Sequence, residues 1–303
     1  MKWLKLALRL IVGVFFIFSA YGKLDAMGAF EVYVFRSSFL SFDGASVVAR
    51  LIVAAEIIAG VGIIFKLGYK AIWRLTFLFI LVLTGFLAKQ LLLGSDENCF
   101  CLGELMEMSP AESLLKNVVL IGLLLLIRKD DVTFDFRLKQ LVVSLVFAAS
   151  VIVPFVISPP DLFVKGQFNS AEYNQTALDD AIANGEISTK FLKGRKMLSF
   201  YSMKCKYCKM SSERISALVR KNDIQRSQVN IIFGGMSGNP IEFFEETHSQ
   251  VFEFSRLPRE PFLSITKGMM PLTLLIEDGK VISEMNYRTI DEKEITNFLN
   301  GKS

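Results

Sequence analysis

The chain has 303 residues, a formal net charge of +4 and a 52% apolar composition, with a mean hydropathy of +0.42. That length accommodates two domains, and the hydropathy is too high for a purely soluble protein. The weak charge, with no basic stripe interleaved with aromatics, argues against a nucleic-acid partner, and a single histidine, His248, argues against a histidine metal site or a Ser-His-Asp hydrolase.

The apolar excess lies before Ser158. Hydropathy predicts five spanning helices, over 4–20, 47–65, 72–93, 111–127 and 141–157, each near the length needed to cross about 30 Å of hydrocarbon. The expected partner of this half is a lipid bilayer. The first span resembles a secretory signal, but no A-x-A-like site follows it, so it is expected to be retained. Basic residues set the orientation. Lys2, Lys5 and Arg9 flank the start, Lys66, Lys70 and Arg74 lie between spans two and three, and Arg128, Lys129, Arg137 and Lys139 lie between spans four and five. The 94–110 loop has no Lys or Arg. The N-terminus is therefore expected in the cytoplasm and the C-terminal half in the periplasm, across a bacterial inner membrane.

Polar residues inside spans are costly and often functional. Glu56 falls roughly 13 Å into span two at about 1.5 Å per residue. Lys89, Gln90, Arg50 and Asn117 lie toward outer span ends, and in a single bundle these groups would converge beneath Cys99 and Cys101. One reading is a quinone or proton pocket at Glu56 and Lys89. The other is helix glue, with Glu56 paired to Arg50 or Lys89.

The four cysteines form two tight pairs, Cys99/Cys101 and Cys205/Cys208, a spacing that suits redox chemistry or metal binding better than long-range stapling. The orientation places both pairs in one disulfide-permissive compartment. A disulfide between residues two apart closes a strained, labile ring, which suits an electron carrier. Free thiols or ligands for a soft copper ion remain the alternative.

After the linker at Ser158-Pro159-Pro160 and a polar stretch over 169–194, residues 196–201 read as a buried strand. Cys205-Lys-Tyr-Cys208 follows at once. Helical spacing continues over 210–219, then come a strand at 229–233, a helical stretch at 241–254, a hairpin at 272–276 and 281–284 around Glu277-Asp278-Gly279-Lys280, and a helix at 290–299. His248 reads as a solvated helix residue.

This order, with C-x-x-C at a helix start, resembles thioredoxin-like proteins. A helix N-terminus stabilises the first thiolate, and Lys204, Lys206 and Lys209 add positive potential. Cys205 is then the expected nucleophile and Cys208 the resolving thiol. Met270-Pro271 resembles the family's cis-proline, which makes Pro271 a site residue. Where thioredoxins often bury an acid, six residues before the first cysteine, this chain has Ser199, so proton transfer must use water or another group. A zinc site would need two further ligands, which only Cys99 and Cys101 could supply as thiolates.

The membrane half also resembles a family. Arg9, Phe18-Ser19-Ala20-Tyr21-Gly22-Lys23, Glu56 and Cys99-Phe-Cys101-Leu-Gly103 are similar to MauE/DoxX-like proteins over about the first 130 residues. That resemblance implies a redox or maturation role, since MauE-type proteins are associated with maturation of the disulfide-rich methylamine dehydrogenase. Membrane bundles of the vitamin K epoxide reductase type are a looser analogy, with two cysteine pairs in the membrane half where this chain has one.

The expected architecture is an α-helical membrane bundle followed by an α/β thioredoxin-like domain: a MauE/DoxX-like four-helix domain at 1–130, a fifth helix and linker at 131–165, and the thioredoxin-like domain at 166–303. The expected activity is thiol–disulfide exchange between the two pairs, with protein thiol or disulfide clients outside the cytoplasm, no tightly bound cofactor, no metal, and quinone as the lipid-soluble carrier. Electron flow in either direction fits. A membrane-anchored maturation factor holding a cysteine-containing client or a metal, and a four-thiol copper or zinc handler, are the competing classes.

Overall fold

The computed structural model describes residues 2–93, 100–104, 106, 108–128, 139–167 and 172–301. Cys99 lies outside the described residues. The chain divides into two compact units, Met1–Val34 with Gly44–Pro160, and Phe35–Asp43 with Asp161–Ser303.

The first unit contains α1 (Lys2–Asp25), most of α2 (Met27–Ser37), α3 (Phe42–Phe65), α4 (Tyr69–Leu92), a short strand β1 (Cys101–Glu104), α5 (Pro110–Ile127) and α6 (Lys139–Ile157). Five of these helices, all but α2, are long and apolar enough to cross a membrane. All five start earlier than the hydropathy-derived bounds, and α1 also runs on to Asp25. α2 lies in what the sequence reading treats as a loop, since its Glu31 and Arg36 mask an apolar face of Phe30, Val32, Tyr33 and Val34 that is buried.

Val12 and Phe16 of α1, Ala59 and Ile63 of α3, Ile80 of α4, and Leu120, Leu124 and Ile127 of α5 form one buried cluster. Lipid is as apolar as these side chains, so close packing and interhelical hydrogen bonds must hold the bundle. Both are present. A Cβ on Gly13 would lie 2.9 Å from the Gly60 carbonyl oxygen, and one on Gly60 2.8 Å from that of Gly13, so α1 and α3 cross backbone to backbone. Between α4 and α5, Tyr69 donates to the Ile127 carbonyl at 2.6 Å, Trp73 to the Leu124 carbonyl at 2.8 Å, and Asn117 to Thr84 at 3.2 Å. Leu75, Leu78 and Val82 of α4 and Leu141, Leu145, Ile152 and Val156 of α6 are exposed, as lipid-facing side chains should be. Ser109 and Glu112 form a capping box that starts α5, with Pro110 in its first turn.

The second unit is built on a five-stranded sheet. Its elements are the short α7 (Asp161–Val164), α8 (Gln175–Ala183), β2 (Arg195–Tyr201), α9 (Lys206–Lys221), β3 (Val229–Gly234), α10 (Pro240–Glu246), β4 (Glu253–Leu257), α11 (Arg259–Thr266), β5 (Leu272–Glu277), β6 (Lys280–Asn286) and α12 (Glu292–Leu299). The strand order is β4-β3-β2-β5-β6. β2 pairs parallel with β3 and antiparallel with β5. Helices cover both faces of the centre, so β2 is buried on both sides over Met197–Tyr201. On one face Leu198, Phe200, Ile232, Leu257, Phe262 and Ile265 form the core.

The stretch 241–254 is not one helix. Asn239 caps α10 and Pro240 opens it. His248 then takes a left-handed φ of 47°, which ends the helix, and 253–257 becomes β4, parallel to β3. The apolar residues Phe243, Phe244, Phe252 and Phe254 instead form an aromatic cluster with Phe233, drawn from a helix, a loop and two strands. α8 and α11 have no counterpart in the sequence reading.

This unit also holds residues 35–43. Lys221 donates to the Phe35 carbonyl at 2.9 Å and to the Leu40 carbonyl. The guanidinium of buried Arg214 stacks 3.6 Å from the Phe42 ring centre and donates to Asp161 at 3.0 Å and to the Tyr287 and Ile290 carbonyls.

Candidate functional site

β2 runs to Tyr201, the chain turns through Ser202–Lys204, and Cys205 becomes the N-cap of α9, where its sulfur accepts the Cys208 amide at 3.3 Å. The first-turn amides of a helix have no intrahelical partner, so the sulfur is placed where they can stabilise a negative charge. Hydrogen bonding from the Cys208 thiol, and then from the Cys208 and Tyr207 amides, brings the Cys205 thiol down from 9.0 to about 6 against an opposing effect of burial. Cys208 is fully buried, and burial pushes its thiol well above the ordinary range. One accessible thiolate beside one buried thiol is the arrangement that attack followed by resolution needs. The Cys205 sulfur also lies 4.0 Å from the Met270 carbonyl, and the Met270-Pro271 peptide is cis.

Lys204 and Lys206 are exposed beside the pair, but Lys209 is tied to Glu246 at 2.6 Å and its charge is compensated. Ser199 is buried and shares a hydrogen bond with Thr273 of β5 at 3.1 Å. On the same strand face, buried Tyr201 shares one with Ser211 of α9 at 2.9 Å, and burial pushes its phenol above its ordinary range. Four hydroxyls therefore lie between the sheet and α9, where the sequence comparison expects an acid. His248 is exposed.

A second cluster lies in the first unit. The Cys101 carbonyl faces two donors on α1, Lys23 Nζ and Ser19 Oγ, each at 2.7 Å. Lys23 Nζ also reaches Glu56 Oε1 at 2.8 Å and Ser19 Oγ at 2.7 Å, and Ser19 Oγ lies 3.0 Å from Glu56 Oε1. Ser19, Lys23 and Glu56 are 2%, 4% and 3% exposed. β1 can approach α1 this closely because residue 103 is glycine: a Cβ there would sit 2.1 Å from the Gly22 carbonyl oxygen, and its φ is +67°.

The grouping expected from the sequence is therefore rearranged. Glu56 pairs with Lys23 rather than with Arg50 or Lys89. Arg50 is committed to Glu31, to Ser46 and, at 2.5 Å, to the Ser158 carbonyl, Asn117 bonds Thr84, and Lys89 is exposed on α4. Lys23 and Ser19 lie in the stretch that carries the MauE/DoxX-like resemblance, yet neither is among the expected site residues, because Lys23 reads as a loop cation. The available signal was their i, i+4 spacing, which stacks them on one face once α1 extends to Asp25.

Residues 1–128 match the family described as "Methylamine utilisation protein MauE". The membrane half carries a MauE domain. Over 82% of each chain, the protein is also 23% identical to Protein TlpB of Flavobacterium psychrophilum. With five apolar helices long enough to span, the MauE domain marks a bacterial membrane protein.

Proposed function

We propose that this protein is a membrane-bound thiol–disulfide oxidoreductase that exchanges electrons between Cys205/Cys208 and Cys99/Cys101 through mixed disulfides, serving protein thiols or disulfides outside the cytoplasm. The observation that carries the reading is the helix-capping Cys205 sulfur, its thiol brought to about 6, beside a fully buried Cys208. The MauE domain and the similarity to TlpB support a thiol-related redox or maturation role. The N-terminus is assigned to the cytoplasm and the C-terminal half to the periplasm of an inner membrane, from the basic loops. Trapping thiols in living cells tests the relay, with Cys99 and Cys101 both changed to serine as the comparison. An outer pair that turns reduced in the variant makes the membrane half an oxidase. One that turns oxidised makes it an electron donor. No change refutes the relay.

Quinone is proposed as the lipid-soluble second substrate. An apolar groove of about 560 Å³ lies open on the membrane half, lined among others by Ile11, Phe15, Leu115, Lys116, Val119 and Leu123, and it offers room for such a molecule. Val119→Trp should slow reoxidation of the reduced protein by an added soluble quinone, and an unchanged rate would remove the groove from the path. The second reading, favoured by the MauE description, is an anchored maturation factor that holds a cysteine-bearing client without turnover. It predicts that the outer pair ignores the loss of Cys99 and Cys101.

A further inference from the structure

Lys23 has three ammonium protons and three acceptors around it: Ser19 Oγ, Glu56 Oε1 and the Cys101 carbonyl. Glu56 is not satisfied in the same way. Oε1 is bonded by Lys23 and approached by Ser19, while Oε2 is buried with no hydrogen-bond partner among the described residues. A carboxylate oxygen left empty inside a membrane bundle is costly, and residues that carry that cost are commonly functional. Here it is held by the same ammonium that bonds the backbone of Cys101.

We propose that Glu56 is the proton acceptor for the Cys101 thiol, with Lys23 holding the charge of the cluster constant while the proton moves. The proposal rests on the reading of Cys99/Cys101 as a redox pair. In the step, the Cys101 S–H bond breaks and its proton passes to Glu56 Oε2. The sulfur electron pair attacks one sulfur of an incoming disulfide. A bond from Cys101 to that sulfur forms, the incoming S–S bond breaks, and its other sulfur leaves as a thiolate. Cys101 is oxidised as the disulfide is reduced, and the proton stays on Glu56.

The charge logic favours this partner. Before transfer the cluster holds Lys23 as a cation and Glu56 as an anion. After transfer it holds Lys23 and the Cys101 thiolate, and its net charge is unchanged. Releasing the proton elsewhere would leave an extra charge in a low-dielectric interior. Three titratable groups on neighbouring elements are engaged elsewhere or exposed. On α2, Glu31 is bound by Arg50 of α3 and Tyr33 donates to Gln90 at 3.3 Å. On α4, Lys89 is exposed.

The test uses reduced full-length protein in lipid nanodiscs. Alkylation of Cys101 by iodoacetamide is followed from pH 6 to 9 and assigned by peptide fragmentation. If Glu56 takes the proton, thiol and thiolate states of the cluster contain the same number of protons, so the native rate should be nearly flat with pH. In Glu56→Gln the proton must go to solvent, and the rate should climb about tenfold per pH unit from pH 6 to about 8, the ordinary titration of a thiol below its pKa. Glu56→Asp should return the flat profile. A flat profile in Glu56→Gln, a tenfold slope in the native protein, or a slope in Glu56→Asp overturns the proposal. The Asp variant tests it even if the Gln variant does not assemble. Cys205 alkylation in the same digest reports an intact outer unit. No disulfide exchange enters this measurement, so failure of the electron relay would appear separately in the cellular trapping experiment.

Discussion

Replacing Cys208 with alanine should raise the Cys205 midpoint, because the Cys208 thiol is the largest of the groups that hold it near 6. At pH 7 a thiol titrating near 6 is about 90% thiolate, while one at the reference value of 9.0 is about 1%, a difference of about ninetyfold. Nucleophilicity falls with basicity, by a factor of about 15 to 30 over three units. The net gain in attack rate is therefore only a few-fold, and a single rate at pH 7 is a poor test. The shape of the pH profile is a good one. Native Cys205 alkylation should rise through about pH 6 and be nearly flat from about 7 upward.

In Cys208→Ala the Tyr207 and Cys208 amides remain, so the midpoint should move up by about one unit or more without reaching 9.0. Cys208→Ser keeps a donor and should move it less. Thiolate absorbance and alkylation rate read the midpoint independently. A midpoint that stays put in the alanine variant would refute the account of how this thiol is activated. Stability follows the same linkage. A folded-state value below the unfolded one stabilises the reduced form above the unfolded value and loses that contribution as pH falls through about 6. Reduced protein should thus become more stable relative to oxidised protein as pH rises from about 6 to about 9, and the disulfide becomes more oxidising relative to an unperturbed dithiol.

Two further changes test the frame around each pair. Gly103→Ala places a methyl 2.1 Å from the Gly22 carbonyl oxygen, so β1 must move off α1, and Cys101 alkylation should rise several-fold or the protein fail to assemble; an unchanged rate and melting temperature would refute the close approach. Arg214→Met removes a buried cation from Asp161 and from two carbonyls; because Arg288 still reaches Asp161 at 2.7 Å, the loss should fall near the low end for a broken buried pair, about 3 kcal/mol, in denaturant unfolding of the second unit.

The legible parts of this chain are those where one signal has one physical meaning. A run of about twenty apolar residues has few fates besides a span, and a C-x-x-C between a buried strand and an amphipathic helix places Cys205 at a helix N-terminus. The strand pairs β2/β3 and β5/β6 follow from short apolar runs and from the turn at Asp278-Gly279. Legibility fails where tertiary partners decide. Residues 241–254 read as one helical stretch, yet 253–257 is a strand because β3 presents an open edge to it. Lys23 has the look of a loop cation, and only the extension of α1 and the approach of β1 turn it inward. Arg50 and Glu56, six residues apart on α3, look equally eligible as partners, but Glu31 on the unforeseen α2 claims Arg50. Ser199 was legible as a missing acid, whereas the hydroxyls of Thr273, Tyr201 and Ser211 come from two strands and a helix far apart in sequence.

On the proposed function, the two sites would handle the same chemical problem under different dielectric conditions. Thiol–disulfide exchange creates a thiolate and must place a proton. At Cys205 the site lies near water, so unpaired helix amides and two exposed lysines can favour the anion without a compensating acid, and the proton leaves to solvent. Cys208 is buried over a lattice of neutral hydroxyls, which can accept hydrogen bonds without adding a charge. Around the half-buried Cys101, the cluster of Ser19, Lys23 and Glu56 is buried in a helix bundle, where a bare ammonium or carboxylate would be expensive. There the cation comes already paired with an acid. If Lys23 were present only to glue α1 to α3, a neutral donor of the same reach would serve, and the Cys101 carbonyl would need no ammonium. The pairing of Lys23 with both Glu56 and that carbonyl makes sense if the anion it faces can change from carboxylate to thiolate.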